Sequence, residues 1–203
     1  DGQYKPMGHG TYVQTYTEAI QKFTLNNSGA TLSYSGYEKI TDPIHLHRRD
    51  YNLLSHIFPD GSEGLVISSG VFQQFVDLPF LYPVEIKEDG YVAKPEFNQY
   101  LNNYHTAHTN IYDSLENKMT SLFFGGISQY YYVDGALHQD DFVPFVNTIS
   151  GISRDHSGNL TEFYIPTGMP GYKGCSAVFL PNYNLTYNPS EILRETQFEG
   201  DTI

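Results

Sequence analysis

The chain has 203 residues, of which 39% are hydrophobic and 15% aromatic, a balance that fits a folded protein with a sizeable core and excludes a disordered one. Its 23 acidic residues against 11 basic ones give a net charge of −12, which disfavours nonspecific binding to nucleic acid or to an anionic membrane. No apolar run approaches the ~18 residues of a membrane-spanning helix, the charged start Asp1-Gly2-Gln3 does not read as a signal peptide, and the single cysteine, Cys175, has no partner for an internal disulfide.

Eighteen tyrosines and thirteen phenylalanines lean towards strands, and helical periodicity is hard to find. Residues before Thr17 carry Pro6, Gly8 and Gly10 without alternation and read as a surface loop. Thr17–Ile40 reads as a hairpin turning at Ser28-Gly29. A polar strand over His45–Leu54 then leads through the turn Pro59-Asp60-Gly61 into the strand Gly64–Gly70. Val84–Lys87 and Tyr91–Ala93 form the next hairpin, turning at Glu88-Asp89-Gly90. A second polar strand, Asn103–Ile111, reaches a turn at Asp113–Asn117, and Lys118–Gly126 follows as the clearest strand of the chain. Two terminal glycines imply that it stops where no side chain fits, against another backbone or a tight bend. An insertion, Ser128–Val143, holds a turn at Asp134-Gly135 and the run Tyr130-Tyr131-Tyr132; Thr148–Gly158 opens one more hairpin, and Tyr172–Val178 reads as the start of a last strand unit.

Two internal repeats organise these elements. Gly70 and Gly126 end similar apolar strands 56 residues apart, Ser69 replacing the first glycine of the pair. Ile20 and Ser28 align with Ile149 and Ser157 at a common offset of 129, and Tyr51 and Tyr104 mark equivalent points 53 apart. A period of this length is that of one four-stranded propeller blade.

The alternation of a polar strand, an apolar strand ending in Gly-Gly and an outer hairpin resembles the kelch family of β-propellers, although the usual tryptophan is absent. The resemblance implies an all-β fold of four-stranded antiparallel blades: 1–44 as outer strands of one blade, 45–97 and 98–168 as whole blades, and 169–203 as the start of another. Because blades bury their faces only against neighbours, these units are expected not to close a ring alone, and flanking sequence or a second chain would complete a larger propeller.

The segments Arg48-Arg49-Asp50-Tyr51-Asn52, Phe58–Gly64, Ser69–Gln73 and Phe124–Tyr130 further resemble uncharacterised secreted Bacteroidota proteins that are cargo for type IX secretion. That likeness implies a secreted or cell-surface location. Asp113-Ser114-Leu115 and Asp201-Thr202-Ile203 match the O-glycosylation triplet of that phylum, making Ser114 and Thr202 glycosylation candidates.

No nucleophile elbow, phosphate loop or paired catalytic carboxylates can be read. His45 and His47 would share one face of a strand, but no acidic or cysteine ligand follows at fixed spacing, so neither metal nor cofactor is expected. The residue types of copper radical oxidases, which are also built on kelch propellers, are present, but without a tyrosine placed beside Cys175; that cysteine reads as a small buried hydrophobe. Asp134–Asp141 lacks the alternation of a calcium loop. The tyrosine run reads as packing between blades or as a surface for stacking sugars or binding protein.

The expected function is a non-enzymatic binding module presenting propeller loops to a protein or glycan. The alternative is a sugar-acting enzyme resembling the kelch-type sialic acid mutarotases, with its site at the channel mouth on Arg48, Arg49, Tyr51, Tyr104 and His105.

Overall fold

A computed structural model of the chain describes residues 2–8, 10–180, 182 and 184–194. Every regular element among them is a β-strand, as the aromatic-rich composition leads one to expect. The described residues group into two compact units, one within 1–49 and 72–77, the other within 50–71 and 78–203.

The first unit consists of two hairpins. Strand β1 (Gly2–Gly8) pairs with β2 (Thr11–Tyr16), where a surface loop was expected. The β-branched and aromatic run Thr11–Tyr16 carries the strand signal. Strand β3 (Ala19–Asn27) pairs with β4 (Leu32–Thr41) around Ser28-Gly29, as predicted, with Gly29 at φ 85°.

The polar strand expected over His45–Leu54 is absent until Asn52. Asp42 Oδ1 accepts the backbone N–H of Ile44 (2.9 Å) and of His45 (3.0 Å), curling the chain into a turn. Asp50 then sits at φ 56°, which no strand accommodates. His45 and His47 therefore do not share a strand face; His47 Nδ1 lies 2.5 Å from Glu18 Oε1, and its ring stacks on Tyr16.

The second unit holds two antiparallel meanders. Strands β5 (Asn52–Ile57), β6 (Glu63–Ser68), β7 (Val84–Lys87) and β8 (Gly90–Ala93) pair in chain order as a four-stranded sheet. Strands β9 (Ala107–Asp113) and β10 (Lys118–Ile127) begin the other sheet; it continues, after the hairpin β11 (Tyr130–Val133) and β12 (Ala136–Gln139), with β13 (Phe145–Arg154) and β14 (Leu160–Ile165). A fifth strand, β15 (Leu193–Arg194), lies parallel beside β9. Asp134 (φ 50°) and Gly135 (φ 78°) make the β11–β12 turn, where two left-handed residues match the twist of a two-residue hairpin.

The core of this unit follows from strand alternation. Leu54 of β5, Val66 of β6, Phe123 of β10 and Ile152 of β13 pack with Phe58 between the two sheets. A second cluster joins Ile111, Leu122 and Leu193. Phe123 and Leu193 are wholly buried, so each contributes about 1.5–3 kcal/mol of burial.

The two repeated strand ends have the same backbone. Ser69 and Gly70 stand at φ 53° and 94°, Gly125 and Gly126 at 67° and 99°. A Cβ on Gly126 would lie 2.6 Å from the Tyr104 oxygen, and one on Gly125 3.0 Å from that of Val146, so the glycines mark close backbone approach. Gly174 completes the contact: its Cβ would overlap the Phe124 oxygen. Residues 172–178 consequently lie as irregular chain against this strand end, with one bridge from Cys175 to Thr106, rather than forming the expected strand; Cys175 is half-buried there. The polar strand expected from Asn103 likewise starts only at Ala107, because His105 stands at φ 52°.

Polar side chains, not apolar ones, fill the space at these strand ends. Asn52 Nδ2 donates to Asn103 O (2.8 Å), Ser69 Oγ to Asn102 O (2.6 Å), Ser128 Oγ to Asn102 Oδ1 (2.8 Å), and Asn103 Nδ2 to Gly125 O (2.7 Å). All five of these side chains are buried, and their bonds tie the two meanders through the connection that leads into β9.

Candidate functional site

The five predicted site residues have different surroundings. Arg48 is 1% exposed, and its Nε donates to His45 O (2.7 Å), which ties it to the turn after β4. The Arg49 guanidinium lies 4.3 Å from the Phe72 ring centroid and donates to the Tyr12 hydroxyl (3.4 Å). Both belong to the first unit; Tyr51, Tyr104 and His105 belong to the second. Tyr51 is half-buried, and Tyr104 is buried, its backbone paired in both directions with Ile127.

His105 is open to solvent and has company that the sequence does not foretell. Its Nε2 lies 2.7 Å from Ser176 Oγ, and its Nδ1 lies 3.7 Å from Asp50 Oδ1. The backbone repeats the same order: His105 N–H donates to Asp50 O (3.0 Å), and Ser176 N–H to His105 O (2.9 Å). Asp50, His105 and Ser176 stand at φ 56°, 52° and 58°. Three consecutive chain passes therefore present the same strained backbone and the same linking bond.

A second site forms around the predicted tyrosine run. Tyr132 of β11 and Tyr164 of β14 stack with centroids 3.8 Å apart and planes 10° from parallel. Register explains the meeting: Tyr164 pairs with Ser150 on β13, and Thr148, two residues earlier on the same strand face, accepts the Tyr132 N–H (3.3 Å) at Oγ1. A cleft of about 420 Å³ opens beside them, lined further by Asp134, Asn147, Pro166 and Tyr172. Tyr172 is 69% exposed, and the side chains of Asn147 and Asp134 are exposed as well. Gly168 fits under Asn147 because a Cβ there would lie 2.9 Å from the Asn147 oxygen, which also accepts the Met169 N–H (2.7 Å). The cleft thus offers aromatic faces beside unburied amide and carboxylate groups. The tyrosine run points to Tyr132 in the sequence; Tyr164 and Tyr172 carry no signal of their own. The other two tyrosines of the run make edge or stacked contacts, Tyr130 with Tyr100 and Tyr131 with His138.

Two ionisable groups away from these sites are displaced by burial. Glu162 accepts the N–H groups of Tyr100 (3.1 Å) and Leu101 (2.8 Å), yet loss of solvent raises its carboxyl to about 7. Burial, aided by the charges of Arg154 and Lys87, holds the His56 imidazole down at about 3. Among the described residues no three histidine, cysteine, aspartate or glutamate side chains converge as a metal centre would require. Ser114 is exposed in the β9–β10 turn, where Asp113 Oδ1 accepts the N–H groups of Leu115 and Glu116. Thr202 lies outside the described residues.

No protein family matches the chain, and neither a curated protein nor a solved structure does.

Proposed function

We propose that this chain is a carbohydrate-binding module built from kelch-type propeller blades, and that the Tyr132–Tyr164–Tyr172 cleft is its sugar site. The blade reading is supported by two four-stranded meanders, β5–β8 and β9-β10-β13-β14, each with a pair of left-handed residues at the far end of its second strand, Ser69-Gly70 just after β6 and Gly125-Gly126 at a bulge one residue before β10 ends. It gives each meander the apolar second strand and outer hairpin that the repeats imply. Flanking sequence or a second chain then completes the ring, and export to the cell surface rests on the Bacteroidota resemblance.

One observation carries the binding role: an open cleft lined by the stacked Tyr132–Tyr164 pair and the exposed Tyr172, beside an exposed amide and an exposed carboxylate. Sugars present C–H faces that pack on aromatic rings and a rim of hydroxyls that need both donors and acceptors, and such a cleft supplies each. Binding of this kind requires no catalytic group. A glycan array probed with the 203-residue chain tests the proposal. Reproducible binding of neutral oligosaccharides, lost on Tyr172→Ala, is expected; an array with no hits, or hits indifferent to Tyr172→Ala, overturns it.

A further inference from the structure

We propose that Ser176, His105 and Asp50 form a nucleophile, base and orienting group that transfers short acyl groups from activated esters to water. A serine is a poor nucleophile unless a base is in hydrogen-bond reach and a third group holds that base in the right tautomer. Here Ser176 Oγ is 2.7 Å from His105 Nε2, and the Asp50 carboxylate faces Nδ1 at 3.7 Å, within ion-pair reach. The backbone bonds from His105 to Asp50 and from Ser176 to His105 hold the three in sequence. Each stands at a positive φ, costing about 1–2 kcal/mol in a residue with a Cβ. Asparagine or glycine would relieve that strain at all three positions, yet the chain places a carboxylate, an imidazole and a hydroxyl there. Such strain on non-glycine residues collects where a side chain must be aimed.

Room for an acyl group lies next to them. A cleft of about 310 Å³ begins at Thr106 and Ala177, the residues directly after His105 and Ser176, and is walled by Leu53, Val178 and Phe179. Tyr187 lines the same cleft, its hydroxyl buried and without a hydrogen-bond partner among the described residues. The steps balance without a co-reactant other than water. Ser176 Oγ bonds to the acyl carbon as its proton passes to His105 Nε2; the ester C–O bond breaks, and the imidazolium returns that proton to the departing alcohol. Water, deprotonated at Nε2, then releases the carboxylic acid and restores the serine.

The geometry also sets the range of substrates. The N–H of Ser176 is bonded to His105 O and that of Ala177 to Gly174 O (3.1 Å), so neither is free for an oxyanion. Loss of one such donor costs about 100–1,000-fold. The activity is therefore confined to good leaving groups and does not extend to amides.

The test is covalent trapping of the 203-residue chain with a small fluorophosphonate, read by intact mass and peptide mapping, alongside hydrolysis of p-nitrophenyl acetate. One adduct, on Ser176, is expected, with its formation and the ester hydrolysis both slowed about 100-fold by His105→Gln and abolished by Ser176→Ala. Asp50→Asn keeps the backbone bond through its carbonyl, and so is expected to slow the reaction without preventing labelling. An unlabelled wild-type protein, an adduct on Cys175, or a labelling rate unchanged by His105→Gln overturns the proposal. The wild-type result alone decides the first of these, whatever the variants do to folding.

Discussion

Arg154 shows how much one side chain can hold together. It is 5% exposed, and donates from Nη2 to Glu85 Oε1 (2.5 Å), from Nε to His56 Nε2 (2.9 Å) and from Nη1 to Gly158 O (3.3 Å), joining strands 69 and 98 residues away in sequence. Removing Arg154 leaves the buried Glu85 carboxylate only the longer Lys94 contact (3.7 Å), so Arg154→Met is expected to cost about 3–5 kcal/mol in urea unfolding at neutral pH. Replacing both charges with apolar groups, in Glu85→Leu with Arg154→Met, is expected to cost less than the single change. The two buried titrating groups act in opposite directions. Glu162 is raised to about 7 in the fold, so the stability it lends is complete below its ordinary value near 4.5 and is lost as pH climbs through 7. His56 is lowered to about 3, so its contribution is complete above its ordinary value near 6.5 and is lost as pH falls towards 3. Between about pH 4.5 and 6.5 the two slopes oppose each other. Stability measured across that window is expected to rise more steeply with pH in Glu162→Gln than in the parent chain. A slope unchanged or reversed would contradict the assignment.

At the scale of elements, the strand ends decide the packing. Gly174→Ala would push a methyl group into the Phe124 carbonyl and the Gly126 nitrogen, both backbone atoms, and is expected to destabilise by about 1–3 kcal/mol. Ser69→Ala keeps the left-handed backbone but leaves Asn102 O without its 2.6 Å donor, again a loss of about 1–3 kcal/mol. Thermal unfolding of the two variants reads both. These strand ends are legible in the sequence, because a paired glycine closing an apolar run signals a backbone with no room for a Cβ, and Ser69-Gly70 stands at the equivalent point of the upstream strand. Hairpins turning at Ser28-Gly29 and Asp134-Gly135 are legible for the same local reason. What stays hidden is long-range. Nothing near Ser176 announces that the backbone of His105, 71 residues earlier, will bond to it, and no pattern in β14 announces that Tyr164 will face Tyr132. The polar strand expected from His45 fails for a local reason that is itself written in the sequence: Asp42 is placed to accept the next N–H groups and turn the chain.

At the scale of the molecule, the charge of −12 bears on which sugars the cleft accepts. Asp134 at the rim and the negative field around it repel sulfated or sialylated chains. Neutral oligosaccharides are therefore expected to bind more tightly than sulfated forms of the same backbone at low ionic strength, with the gap narrowing as salt is raised past about 0.1 M, where screening acts within about 10 Å. The most direct test of the proposed sugar site is an NMR titration of the isotopically labelled chain with the strongest neutral oligosaccharide from an array. Saturable shifts confined to residues 132–135, 147–148, 164–168 and 172 are expected, with affinity reduced about tenfold in Tyr172→Ala. Shifts that map elsewhere, or that stay absent at millimolar sugar, would contradict the proposed site.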